Sequence, residues 1–260
     1  MSQIPTFSQE LRDFFGFLRA PNLNPRLAGQ DLGHAWHTDW TNGLGVKRIM
    51  QWAVVLWLVN LTVFGPLAAS VATSTGTQHR LDLSNIPWKQ AILWAPVIEE
   101  LVFRYVLRRP SQFLWLLPVS IWCMFSGPEA LSISLVAAMV LLLYVRPVYG
   151  AGHKSVFSAI GLGKAWPKQW YKTYARYFGW AFYGSTLLFA ALHLYNFKFE
   201  QISLWMLPLL ILPQFMTGLV LGWLRIRRGI GASIILHAVF NAGPVLVIMA
   251  IVRLLPEGQY

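Results

Sequence analysis

From Ile49 onward, long apolar runs alternate with short polar connections. Seven of these runs read as membrane-crossing helices: residues 49–73, 88–108, 111–127, 129–146, 176–197, 202–224 and 230–253. A hydrocarbon core about 30 Å thick takes about 20 apolar residues per helical crossing. Ahead of them, Phe7, Leu11, Phe14, Phe15 and Leu18 recur at helical spacing, with Arg12, Asp13 and Arg19 elsewhere on the wheel. Thr6 and Gln9 have the spacing of a capping box, so residues 6–20 predict an amphipathic helix lying on the membrane surface. A helix docked on the protein is the alternative. The stretch before Ile49 is polar, with Gln30, Asp31, His34 and Asp39, and no cleavable signal peptide is apparent.

Composition agrees with a membrane solvent: 56% of residues are hydrophobic and 12% charged, which excludes an ordinary soluble domain. The net charge of +11 invites a nucleic-acid reading, but the basic residues lie between apolar runs instead of on one polar face. With the N-terminus inside, 16 of the 21 Lys and Arg fall in inner segments, which predicts an N-in, C-out topology. Lys164, Lys168, Lys172 and Arg176 recur every four residues, and Trp166, Trp170 and Tyr174 do so on another face. That pattern reads as a basic helix anchored at the inner surface, with a solvated topogenic loop as the plainer alternative. Gly218 and Gly222 form a GxxxG pair that ordinary close helix packing explains. Cys123, the single cysteine, permits neither a disulfide framework nor a cysteine-based metal site. The expected fold is an all-α, polytopic bundle of about seven transmembrane helices with interfacial helices. An N-terminal segment (1–48) precedes the membrane domain (49–260).

Charge inside a membrane costs about 2.5–3.5 kcal/mol per residue on insertion scales and therefore marks candidate function. The second crossing carries Glu99, Glu100 and Arg104. Glu100 and Arg104, four apart, share a face and can form a buried ion pair. Glu99 is turned about 100° away and remains available as a base. Pro96, upstream, loosens the backbone beside it. The plain alternative is an ion-paired packing device without chemistry. Two other helices add to the set: FAALH ends in His193, and HAVFN places His237 and Asn241 on one face. A lone membrane histidine is often a satisfied interhelical hydrogen bonder, but two imidazoles, an amide and a carboxylate from three helices suggest one site. Such a set suits amide hydrolysis, with a glutamate activating water and imidazole and amide donors meeting the oxyanion.

EELVFR (Glu99 to Arg104), FAALH (Phe189 to His193) and HAVFN (His237 to Asn241), in this order, resemble the CPBP family of CAAX proteases and bacteriocin-processing enzymes, whose pattern is EExxxR, FxxxH, HxxxN. The resemblance implies an intramembrane glutamic endopeptidase in a bacterial inner membrane, acting near the end of a membrane-associated protein or peptide. It assigns Glu99 as general base, His193 as its assistant, and His237 and Asn241 to the oxyanion hole. Glu100, Arg104 and Phe189 support them. Residues 1–48 lie outside it. No HExxH pairing exists and the candidate ligands are spread over three helices, so no metal and no other cofactor are expected. Two rival functions are a non-catalytic immunity or scaffold protein and a small-solute or proton transporter; the repeated halves common in transporters are missing.

Overall fold

The computed structural model describes residues 5–23, 37–41, 45–83, 85–145, 167–200 and 202–254. Its helices are α1 (Phe7–Arg19), α2 (His37–Thr41), α3 (Val46–Ser74), α4 (90–108), α5 (Phe113–Ser126), α6 (Ala130–Val145), α7 (Lys168–Arg176), α8 (Phe178–Leu192), α9 (Leu212–Arg227) and α10 (Ile230–Leu254). A short antiparallel pair, β1 (Gln78–His79) and β2 (Phe197–Lys198), joins the connections that follow α3 and α8. The runs read as crossings each hold a helix. Among the described residues, α3 and α10 are long and apolar enough to span a bilayer, and Leu204–Leu210 with α9 makes a third candidate bent by 52°. Helices α5, α6 and α8 have 14, 16 and 15 residues, about 21–24 Å at 1.5 Å per residue. Their outward side chains are nonetheless apolar: Leu114, Phe125, Leu131, Leu141, Trp180 and Leu188 are all exposed. Such a surface calls for lipid, and the protein is an all-α integral membrane protein.

Two prolines shape the backbone. The π turns Asn60–Phe64 and Gln90–Trp94 lie directly before Pro66 and Pro96. Proline brings no N–H to the ladder, and the widened turn is where the ladder adjusts. A third π turn, Leu101–Tyr105, releases three consecutive carbonyls to other helices. Ser185 donates to the Phe103 carbonyl, and Arg225 donates to those of Arg104 (3.2 Å) and Tyr105 (3.2 Å). Helix α4 is thereby bolted to α8 and α9 where its charged residues lie.

The capping box of α1 forms as expected, with Thr6 N–H donating to Gln9 Oε1 at 2.7 Å. Most of the predicted face packs inward: Phe14 is buried and Phe7, Leu11 and Leu18 pack against the same core, whereas Phe15 is 57% exposed and Phe17 and Glu10 are buried. Ion pairs hold the helix there. Glu10 meets Arg48 at 3.0 Å, pairs with Arg228, and accepts from Trp52 Nε1 at 3.2 Å. Asp13 accepts from Arg227 Nε (2.9 Å) and Trp223 Nε1 (2.7 Å). The helix is thus docked on α3 and on the α9–α10 junction, as in the alternative reading. Helix α7 contains the predicted Lys168, Lys172 and Arg176, all exposed. Tyr174 ties it to α4 by donating to the Leu107 carbonyl at 2.8 Å, and burial pushes that phenol above its usual range. Lys164 and Trp166, which belong to the same predicted pattern, and the polar stretch with Gln30, Asp31 and His34 lie outside the described residues.

The GxxxG pair packs α9 on α8: a Cβ at Gly222 would lie 2.7 Å from Phe182, and one at Gly218 would lie 3.0 Å from Thr186. The closest approach is elsewhere. A Cβ on Gly231 would sit 1.8 Å from the Trp40 carbonyl oxygen, a backbone atom that cannot swing aside. Gly231→Ala is therefore expected to push α2 off α10 and to strain the 2.6 Å ion pair of Asp39 with Arg225. A loss of about 3 kcal/mol, at the upper end of overpacking effects, should appear as a lowered unfolding midpoint in detergent.

Candidate active site

The second carboxylate of the pair on α4 is fully spent. Glu100 is buried; its Oε1 lies 3.1 Å from Arg104 Nη1 and 3.1 Å from His237 Nδ1, and Ser233 Oγ donates to Oε2. A carboxylate only accepts, so His237 carries its proton on Nδ1. Arg104 stacks its guanidinium on Phe189, 3.7 Å from carbon to ring centroid. Gly218 makes room for this, since a Cβ there would lie 3.1 Å from Arg104 Nη2. The Phe189 ring also meets the edges of both imidazoles, at 4.8 Å from His193 and 5.8 Å from His237. One aromatic side chain therefore touches Arg104, His193 and His237 at once.

Glu99 has the opposite character. It is 19% exposed, and Oε2 makes no hydrogen bond among the described residues. Oε2 lies 3.7 Å from His237 Nε2, beyond hydrogen-bond length. Glu99 lines a cavity of about 450 Å³ together with Gln90, Phe103, Phe189, His193, Tyr195 and Asn196. Gln90 and Glu99 are nine residues apart, about 14 Å along a helix, so the cavity runs from the end of α4 down to the carboxylate. That depth lets His193, at the end of α8, share it. His193 Nδ1 lies 2.9 Å from the Phe189 carbonyl. A carbonyl accepts, which puts the proton on Nδ1 and leaves the Nε2 lone pair unspent.

Asn241 stands apart from this cavity. Its Nδ2 donates to the Ala91 carbonyl at 2.9 Å. In the π turn Gln90–Trp94 the Ala95 N–H bonds the Gln90 carbonyl. The next donor in that register would be Pro96, which has none, and Asn241 supplies it. The second amide hydrogen of Asn241 has no partner among the described residues. No group of three His, Cys, Asp or Glu is placed to hold a metal ion among the described residues.

A family model described as Rce1-like, type II CAAX prenyl endopeptidase, matches residues 86–243. The chain belongs to this family. The matched span opens ahead of the first π turn of α4 and closes two residues past Asn241, so it encloses every side chain just described. No curated protein and no solved structure matches the chain. Membership of the Rce1-like family makes the protein a relative of proteases that act on membrane-associated proteins.

Sequence reasoning overlooked Ser233, whose hydroxyl also lies 3.0 Å from the Leu221 carbonyl. The signal was present, because Ser233, His237 and Asn241 are four apart on α10 and form one stripe. It also passed over Gln90, Tyr195 and Asn196, which lie beyond the motifs of this Rce1-like chain and enter the cavity only through the fold.

Proposed function

We propose that the protein is a multi-pass intramembrane endopeptidase of the glutamate type, hydrolysing a peptide bond near the end of a membrane-associated protein or peptide. The observation that carries the reading is the division of labour between adjacent carboxylates. Glu100 is held by Arg104, His237 and Ser233, whereas Glu99 lines a cavity and its buried Oε2 has no hydrogen-bond partner among the described residues. Glu99 takes a proton from water, and His193 Nε2 orients that water as it attacks the carbonyl carbon. Glu99 then returns the proton to the leaving amine as the C–N bond breaks. Oxyanion stabilisation falls to His237, whose protonated form presents Nε2–H toward Glu99 while Glu100 balances the charge; Asn241, expected beside it, holds the Ala91 carbonyl instead and keeps the backbone of α4 in place. One such donor is worth about 2.7–4 kcal/mol in enzymes where it has been removed.

The same reading includes seven crossings with the N-terminus inside a bacterial inner membrane, in keeping with the bias of basic residues to inner segments. A non-catalytic scaffold accounts for Glu100, and for Asn241 as a backbone cap, but gives no reason for the unspent carboxylate. Incubation of the purified protein in detergent micelles with a farnesylated CAAX-type peptide, followed by mass spectrometry, is expected to give one internal cleavage. An intact peptide, here and with unprenylated membrane peptides, would remove the proposal.

A further inference from the structure

Arg80 stands at the mouth of the cavity and is held there from two sides. Its N–H donates to the Asn196 carbonyl at 2.8 Å, extending the β1–β2 ladder by one rung. Its side-chain Nε donates to the Phe197 carbonyl at 3.1 Å. The guanidinium carbon lies 4.9 Å from the centroid of the Tyr195 ring. Tyr195 and Asn196 line the same cavity as Glu99 and His193. Exposure of Tyr195, at 76%, marks this as the open end.

The two terminal nitrogens of Arg80 make no hydrogen bond or ion pair among the described residues. Glu200 sits beside Gly76. A guanidinium fixed through Nε and one face keeps its outer pair of donors pre-aligned, and that pair matches a carboxylate in two parallel hydrogen bonds. The strand pair beneath it adds rigidity, with His79 edge-on to Phe197 at 5.2 Å.

We propose that Arg80 binds a carboxylate of the substrate, the C-terminal one, and so selects peptides whose scissile bond lies a few residues from the chain end. The assignment rests on the hydrolytic reading above and adds a specificity-determining residue to it. The cavity volume argues for the terminal group. About 450 Å³ is at the small end of ligand sites and suits a short leaving fragment. Such a fragment ends in a carboxylate, and Arg80 is a cation at the exit.

The test uses two farnesylated CAAX-type peptides, one with a free C-terminus and one amidated, against wild type, Arg80→Gln and Arg80→Lys. Wild type is expected to favour the free acid about 10- to 100-fold in kcat/KM, the range of a charge-assisted hydrogen-bonded contact, with the difference in KM. Arg80→Gln should cleave the amidated peptide as wild type does and lose the preference. Arg80→Lys, which keeps the charge without the fork, should retain part of it. Equal slowing on both peptides would reduce Arg80 to a strut of the strand pair, and a wild type indifferent to amidation would overturn the assignment outright. A third peptide, amidated but with an acidic last side chain, distinguishes the terminal carboxylate from any carboxylate: full recovery there would overturn the terminal assignment. Binding of the same peptides to Glu99→Gln protein separates the two claims. An Arg80-dependent preference in binding without wild-type hydrolysis would sink the peptidase reading and leave the carboxylate site standing.

Discussion

Glu99→Gln is expected to lower peptide hydrolysis by about 10²- to 10⁴-fold, the range attributed to a general base, while the protein unfolds at its usual temperature. The two halves of that result come from different observations. A carboxamide keeps the size of the side chain but cannot take a proton from water, so chemistry stops. The fold is spared because Glu99 Oε2 has no hydrogen-bond partner to lose among the described residues, and the 3.7 Å spacing to His237 contributes little. Cleavage rates under single-turnover conditions, paired with intrinsic tryptophan fluorescence on heating, measure both. Activity within tenfold of wild type would take the base away from Glu99. Loss of the unfolding transition would make the residue a structural one.

The neighbouring pair should behave in the reverse sense. Arg104→Ala leaves Glu100 buried with only His237 and Ser233 beside it, and truncating one member of a buried ion pair costs about 3–5 kcal/mol. The loss should exceed that of charge alone, because Arg104 also stacks on Phe189, which touches both imidazoles. Arg104→Lys, with no planar face, is expected to recover only part of the stability. The decisive comparison is Glu100→Leu combined with Arg104→Leu. Replacing both ions with apolar groups of similar size should restore most of the stability, yet activity should stay low because His237 has lost the carboxylate that orients it and balances its charge. A double variant as unstable as Arg104→Ala would show that the pair is not what holds α4 in place.

Much of this architecture was legible beforehand, and the reasons differ by residue. The apolar runs are long, so the helices fell where hydropathy places them. Glu100 and Arg104 are four apart on one helix, and local geometry alone pairs them. Glu99 falls in the middle of its apolar run (88–108) and His193 near the end of its own (176–197), so straight helices would hold them at different depths. The structure brings both to one cavity, a property of several helices together. The face of α1 is legible except at Phe15, which spacing ranks with Phe14 although Phe17 takes the buried place; the arginines that meet Glu10 and Asp13 lie on distant segments and leave no local signal. The pairing of Asn241 with Ala91 was illegible, since it depends on a π turn that has no residue signature beyond Pro96. Arg80 carried no motif at all.

The docking of α1 and α2 bears on how much of the chain the bundle needs. Residues 86–243 carry the family match, which suggests a convenient minimal fragment. Yet Arg225, Arg227 and Arg228 are nearly or fully buried inside that span, and their carboxylate counter-ions Asp39, Asp13 and Glu10 all precede it. Truncation to the homologous region would leave three adjacent guanidinium groups to face an apolar interior without the anions that neutralise them. Glu10, Asp13 and Asp39, although outside the family match, are an electrostatic keystone of the bundle.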